Sequence, residues 1–154
     1  MRLRLFPIIG LLASCAGGAD FSLAIGNPIA VGVLAPGTIV KKDVGMAVRA
    51  ENCAEPGKAQ ITGTAEGVVD GARRSIPLQI IPATAAGSFA VPHAWPQAGA
   101  WVLNLTGHCG NSTASAVVPI GPNGFLRESS KFFPRAATAA EVELALTTLA
   151  GGAK

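Results

Sequence analysis

Apolar residues recur at every second position in short runs closed by Gly, Pro, Asn or Asp, a pattern that commits this chain to half-buried β-strands. Phe21, Leu23 and Ile25 open the series, with Pro28 and Pro36 marking an interrupted edge strand. Met46, Val48 and Ala50 then alternate with Ala47, Arg49 and Glu51 on the way to Cys53. Ala59, Ile61, Gly63 and Ala65 alternate with Gln60, Thr62, Thr64 and Glu66. Asp70-Gly71 is the signal of a two-residue hairpin, because both residues tolerate positive φ. The returning strand carries Ile76, Leu78 and Ile80 on one face, and Phe89 and Val91 form a short strand closed by Pro92 and Pro96. Trp101, Leu103 and Leu105 share a face up to His108-Cys109, and Gly110-Asn111 turns the chain back into Ala114, Ala116, Val118 and Ile120. About seven strands with a turn every 8–12 residues is the rhythm of an all-β, immunoglobulin-like β-sandwich.

Composition agrees with that class. Only 14% of the residues are charged and 5% are aromatic, while Gly (19) and Pro (11) are frequent. Such a core is built from small aliphatic side chains, and 154 residues suffice for one domain. After Gly121-Pro-Asn-Gly124 the character changes. Residues 125–135 hold three of the six phenylalanines without a clear period. Thr138-Ala-Ala-Glu141 is a capping box, followed by Val142, Ala145, Leu146 and Leu149 at helical spacing, with Gly151 as the stop. The expected layout is a signal segment over 1–19 (1–14 if Cys15 is the processed end), a sandwich over 20–121, and a Phe-rich segment with a short C-terminal α-helix over 122–154.

The first residues are an address. Arg2 and Arg4 precede the nine-residue apolar run 5–13, and small residues follow from Ser14 to Ala19. That order is the order of a secretory signal peptide, and the run is well short of the roughly 20 residues that span a bilayer. Cleavage after Ala16 or Ala19 satisfies the small-x-small rule. Leu12-Ala-Ser-Cys15 also resembles the lipobox of bacterial lipoproteins, a resemblance that covers four residues. It implies that Cys15 becomes a lipidated N-terminus, and both cleavage readings stand open. Under either one, Cys53 and Cys109 are the two cysteines left in the mature chain, and in an oxidising compartment they are expected to pair. With the usual strand order they end strands that run the same way, which puts them at one pole of the sandwich.

The function classes narrow mainly by exclusion. The net charge is +3, but removing Arg2 and Arg4 leaves 12 − 2 = 10 basic against 9 acidic residues, about +1. That is too little for a phosphate-binding face, so no nucleic acid is expected as partner. His93 and His108 fall at opposite ends of one strand, too far apart for a shared metal, and no metal or other cofactor is expected. His108 and Cys109 are neighbours on a strand and point to opposite faces, which separates a base from its thiol. There is no Gly-x-Ser-x-Gly, and the carboxylates are scattered. Asn104-Leu-Thr and Asn111-Ser-Thr match the glycosylation pattern as chance matches do. Trp101 belongs to the core, whereas Trp95, between Pro92 and Pro96, is an exposed loop aromatic suited to a partner. Phe132 and Phe133 either cover the domain itself or anchor it on a partner.

The stretch Ala98-Gly-Ala-Trp-Val-Leu-Asn-Leu105 resembles the Gly-x-Trp-x-Leu-x-Leu strand of exported bacterial sandwiches, among them the YtkA-like and CopC-like copper proteins. The resemblance covers one strand and implies the fold. The His and Met clusters that hold copper in those families have no counterpart in this chain. The expectation is therefore an exported, non-enzymatic binding or accessory domain of the bacterial periplasm or cell envelope. Its expected partner is an envelope protein; it meets the membrane only if Cys15 is the lipidated end, and it is otherwise free in the periplasm or secreted. A periplasmic copper-handling module of the YtkA/CopC type is the competing expectation.

Overall fold

The computed structural model describes residues 19–27 and 44–152. The N-terminal address with Cys15, and the interruption expected at Pro28 and Pro36, lie outside the described residues. Among the described residues seven strands are five residues or longer: β1 (Ser22–Gly26), β2 (Val44–Glu51), β3 (Gln60–Val69), β4 (Ala72–Pro77), β6 (Ser88–Pro92), β7 (Ala100–Cys109) and β8 (Ser112–Gly121). Three short ones join them: β5 (Ile81–Pro82), β9 (Gly124–Phe125) and β10 (Lys131–Phe133). Helix α1 (Ala139–Gly151) closes the fold.

The strands form two antiparallel sheets, ordered β1-β2-β6-β5 and β10-β8-β7-β3-β4, with β9 paired to β8. Alternation decides which side chains meet between them. Leu23, Ile25, Met46, Val48, Phe89 and Val91 of the first sheet pack with Ile61, Ala65, Leu103, Leu105, Ala116 and Val118 of the second in one buried cluster. The arrangement is consistent with a β-sandwich. Trp101 is the largest core member of the second sheet, and it lies across Gly67 on the paired strand, where a Cβ would come within 2.4 Å of the indole. Gly67 is thus a hole that the ring fills. The β3–β4 turn is the expected one: Asp70 and Gly71 both have positive φ (50° and 76°), the backbone that matches strand twist in a two-residue hairpin.

The strand predicted through Ile80 stops at Pro77. Leu78 still donates its N–H to the Gly63 carbonyl, and the chain then crosses to the other sheet at β5. Ile76, Leu78 and Ile80 all pack on the core, as their spacing suggests, but they do so along a crossing between sheets.

The Phe-rich stretch becomes part of the sheet. β9 and β10 lie along the side of β8 that β7 leaves free. Phe125 packs into the main core, while Phe133 lies in a second apolar cluster on the outer face of the sheet with Val102, Val117, Val142 and Leu146. Helix α1 supplies Val142 and Leu146 to that cluster and so covers the outer face of β7 and β8. Its capping box forms as predicted, with Glu141 N donating to Thr138 Oγ1 at 3.3 Å and Thr138 N to Glu141 Oε2 at 2.7 Å. The helix runs through Gly151, and Gly152 is its cap, one residue later than the sequence suggests.

Phe132 pairs with Ala116, so it shares the core-facing side of the sheet, but at an edge strand it remains 47% exposed. The two adjacent phenylalanines therefore differ in energetic weight. Phe133→Ala is expected to lower unfolding free energy by about 2–3 kcal/mol, and Phe132→Ala by about 1 kcal/mol or less, read from urea melts. Equal effects would mean that the helix cluster does not depend on Phe133.

Candidate functional site

Two poles and one outer face gather the polar chemistry of the molecule. At one pole β2 ends at Glu51, and Asn52 takes a left-handed conformation (φ 56°), which Asn tolerates better than most residues. This kink turns Cys53 out of the first sheet and across to Cys109, the last residue of β7 in the second. The two are disulfide-bonded with their Cα atoms 5.8 Å apart. The pairing and the shared pole match the sequence expectation, and the bond joins one sheet to the other. The Asn52 side chain donates to the Asp20 carbonyl at 3.1 Å, which fixes the entry of the chain into the domain beside the disulfide. His108 is exposed next to it, its Nδ1 3.1 Å from Thr113 Oγ1 on the paired strand.

The opposite pole corrects the expectation for Trp95. The β6–β7 connection folds back over the start of β2, and Trp95 is only 8% exposed. Gly45 makes room for it, since a Cβ there would lie 2.9 Å from the indole. His93 stacks on Trp95 with ring centroids 4.5 Å apart and is the member of the pair that meets solvent. Sequence reading failed here because the partner that buries Trp95 is fifty residues away and is a glycine.

The outer face of β3 and β4 carries a polar network that binds α1. Glu66 accepts from Thr64 (2.7 Å), Ser75 (2.8 Å) and Arg73 Nη1 (2.9 Å), and Arg73 also donates to Glu143 on the helix. Burial pushes the Glu66 carboxyl up, but the hydrogen bonds from Thr64, Ser75 and Arg73, with the Arg73 charge, more than offset it and hold the group below its ordinary value. At the helix start, Arg135 and the Thr138 amide lower the Glu141 carboxyl to about 2. Arg135 also lies 5.1 Å from the Phe133 ring, a cation–π contact at the edge of the helix cluster. The charged groups of this network are all engaged with one another, whereas the buried Asn104 Oδ1, on the strand paired with Thr64, has no hydrogen-bond partner.

Near the β1–β2 edge a cleft of about 210 Å³ is lined by Ala24, Gly26, Ala47, Arg49, Ser88 and Arg127, among others. It is smaller than the 300–1,000 Å³ of typical small-molecule sites. Its guanidinium groups are engaged, Arg127 on the Ile25 carbonyl (2.6 Å) and Arg49 on Glu51 (2.9 Å). Among the described residues no three His, Cys, Asp or Glu side chains converge in a way that could hold a metal ion. His93 follows β6 at one pole and His108 precedes Cys109 near the end of β7 at the other, so the structure does not bring the two histidines together. Of the other residues singled out in the sequence, Phe132 and Phe133 sit on the β10 edge, far along the chain from the Trp95 pole. No known family model, curated protein or solved structure matches this chain.

The two carboxylates give the fold a defined acid response. Both bind their protons less readily in the folded chain than in the unfolded one, so the stability they contribute is present above about pH 4.5 and is lost as the pH falls through their lowered folded-state values, which for Glu141 is about 2. Glu141→Gln is expected to flatten the loss of stability between those pH values, measured by thermal melts at a series of pH values. A slope unchanged by the substitution would show that Arg135 and the Thr138 amide do not hold this carboxylate in the folded state.

Proposed function

We propose that this chain is an exported, non-catalytic immunoglobulin-like domain of the bacterial cell envelope that acts by binding an envelope protein or as an accessory subunit. It works either free in the periplasm or held at the outer membrane through a lipid on Cys15. The observation that carries the reading is the Cys53–Cys109 bond between the two sheets, in a chain whose first residues have the order of an export signal. Such a bond persists in an oxidising compartment and is rare in a reducing one. The immunoglobulin-like assignment rests on seven long antiparallel strands divided between two facing sheets.

The surfaces favour a protein ligand over a small molecule. The cleft at β1–β2 is small, its arginines are engaged, and the charged groups of the outer face are spent on holding α1. Among the described residues, His93 at one pole, Leu126, Phe132 on the β10 edge and Leu144 on α1 are exposed. Exposed aromatic side chains such as Phe132 are of the kind enriched where proteins meet proteins.

Fractionation of expressing cells, combined with thiol alkylation before lysis, tests export. The expected result is envelope-associated protein with Cys53 and Cys109 resistant to alkylation. Cytoplasmic protein with both thiols free would contradict the proposal. Titration of the mature domain with Cu(I) and Cu(II) is expected to give no tight stoichiometric complex, and one that formed would replace the binding-module reading with the copper one.

A further inference from the structure

We propose that the Cys53–Cys109 pole of the domain faces the membrane and lies close against it. This rests on the anchored form of the function proposed above, in which Cys15 carries the lipid. In that chemistry the Cys15 sulfur forms a thioether to the diacylglyceryl group of a phospholipid. The phosphoglycerol headgroup leaves with the thiol proton, and water then cleaves the Ser14–Cys15 peptide bond.

The geometry follows from where the chain enters the fold. Asp20 is held by the Asn52 side chain, next to Cys53, and β1 begins two residues later with Ser22 opposite Glu51. From Cys15 to Asp20 there are five Cα-to-Cα steps, which cannot span more than about 18 Å. The same pole carries the Pro56–Lys58 turn and the β7–β8 turn, because Gln60 pairs with His108 and Cys109 with Ser112. The other ends of these strands carry the Asp70-Gly71 hairpin, and Val44 pairs with Pro92 just before His93. A ten-residue strand such as β7 is about 33 Å long, so the two poles stand well apart.

Charge does not set this orientation. At the anchored pole Arg49 pairs with Glu51 and Lys58 with Glu55, so the basic groups named there are matched by acidic ones and offer little attraction to anionic headgroups. The short tether imposes the orientation, and it turns the His93–Trp95 pole away from the lipid, where a partner can reach it.

The test uses cell-derived, isotope-labelled protein. Its N-terminal mass is measured first, and the protein is then placed in lipid nanodiscs containing a gadolinium-chelate lipid. Amide signals at Asn52–Lys58 and Gly110–Ser112 are expected to be attenuated at least five-fold more than those at Asp70–Ala72 and His93–Trp95, at both low and high salt. A chain acylated on Cys15 with uniform or reversed attenuation overturns the orientation alone. A chain without acyl groups on Cys15 overturns the anchoring, and the orientation with it, while leaving a free periplasmic role intact.

Discussion

The bond between Cys53 and Cys109 is the constraint on which the rest of this fold leans. A sandwich is held by what its two sheets bury against each other, and here alanine takes some of those positions beside larger side chains. Ala50, Ala59, Ala65, Ala114 and Ala116 occupy core positions where a larger protein would place leucine or phenylalanine. Each methylene that is absent forgoes about 0.8 kcal/mol of burial. A crosslink closing a loop with a sequence separation of 56 residues removes unfolded-state entropy equivalent to about 4 kcal/mol. Against a total stability of about 5–15 kcal/mol for a domain, that single bond is comparable to a substantial part of the apolar surplus.

The second organising feature is the outer face of the larger sheet. Without cover, Val102 and Val117 on its central strands would be an exposed apolar patch. Helix α1 and Phe133 close it, and the capping box and the Arg73–Glu143 contact fix the helix at its start and along its side. An isolated helix of this length is marginal in water, so its existence depends on that sheet face. The dependence is mutual, since the Phe-rich stretch gains its order by adding strands to β8. The molecule thus builds outward from the interior: an aliphatic and aromatic core with alanines among its members, a covalent tie across it, then an amphipathic cover.

The strands, the hairpin turn and the capping box were legible in the sequence because each is encoded within a few residues. Period-two alternation placed Met46/Val48/Ala50 and Trp101/Leu103/Leu105 on core faces, and the positive φ values of Asp70 and Gly71 follow from their residue types. The pairing of Cys53 with Cys109 was legible from the cysteine count of a chain with an export-like start, and their shared pole from strand order. Features that depend on distant partners were not. Trp95 is buried because Gly45 leaves space, and no local pattern announces that. The departure of the chain from β4 to the other sheet at residues 78–80 keeps the alternation of a strand while abandoning its ladder. β10 is too short to show a period, and the contrast between Phe132 and Phe133 depends on which side of β8 each residue faces.

The central claim is that the inter-sheet disulfide carries a major share of the stability of this domain. Comparing the thermal unfolding of the oxidised protein with that of the Cys53→Ser/Cys109→Ser variant tests it most directly. The account predicts a loss of about 4 kcal/mol, which for a domain of this size lowers Tm by roughly 10–20 °C. A variant that melts within about 2 °C of the oxidised protein would show that the two sheets hold together without their covalent tie, and would contradict the account.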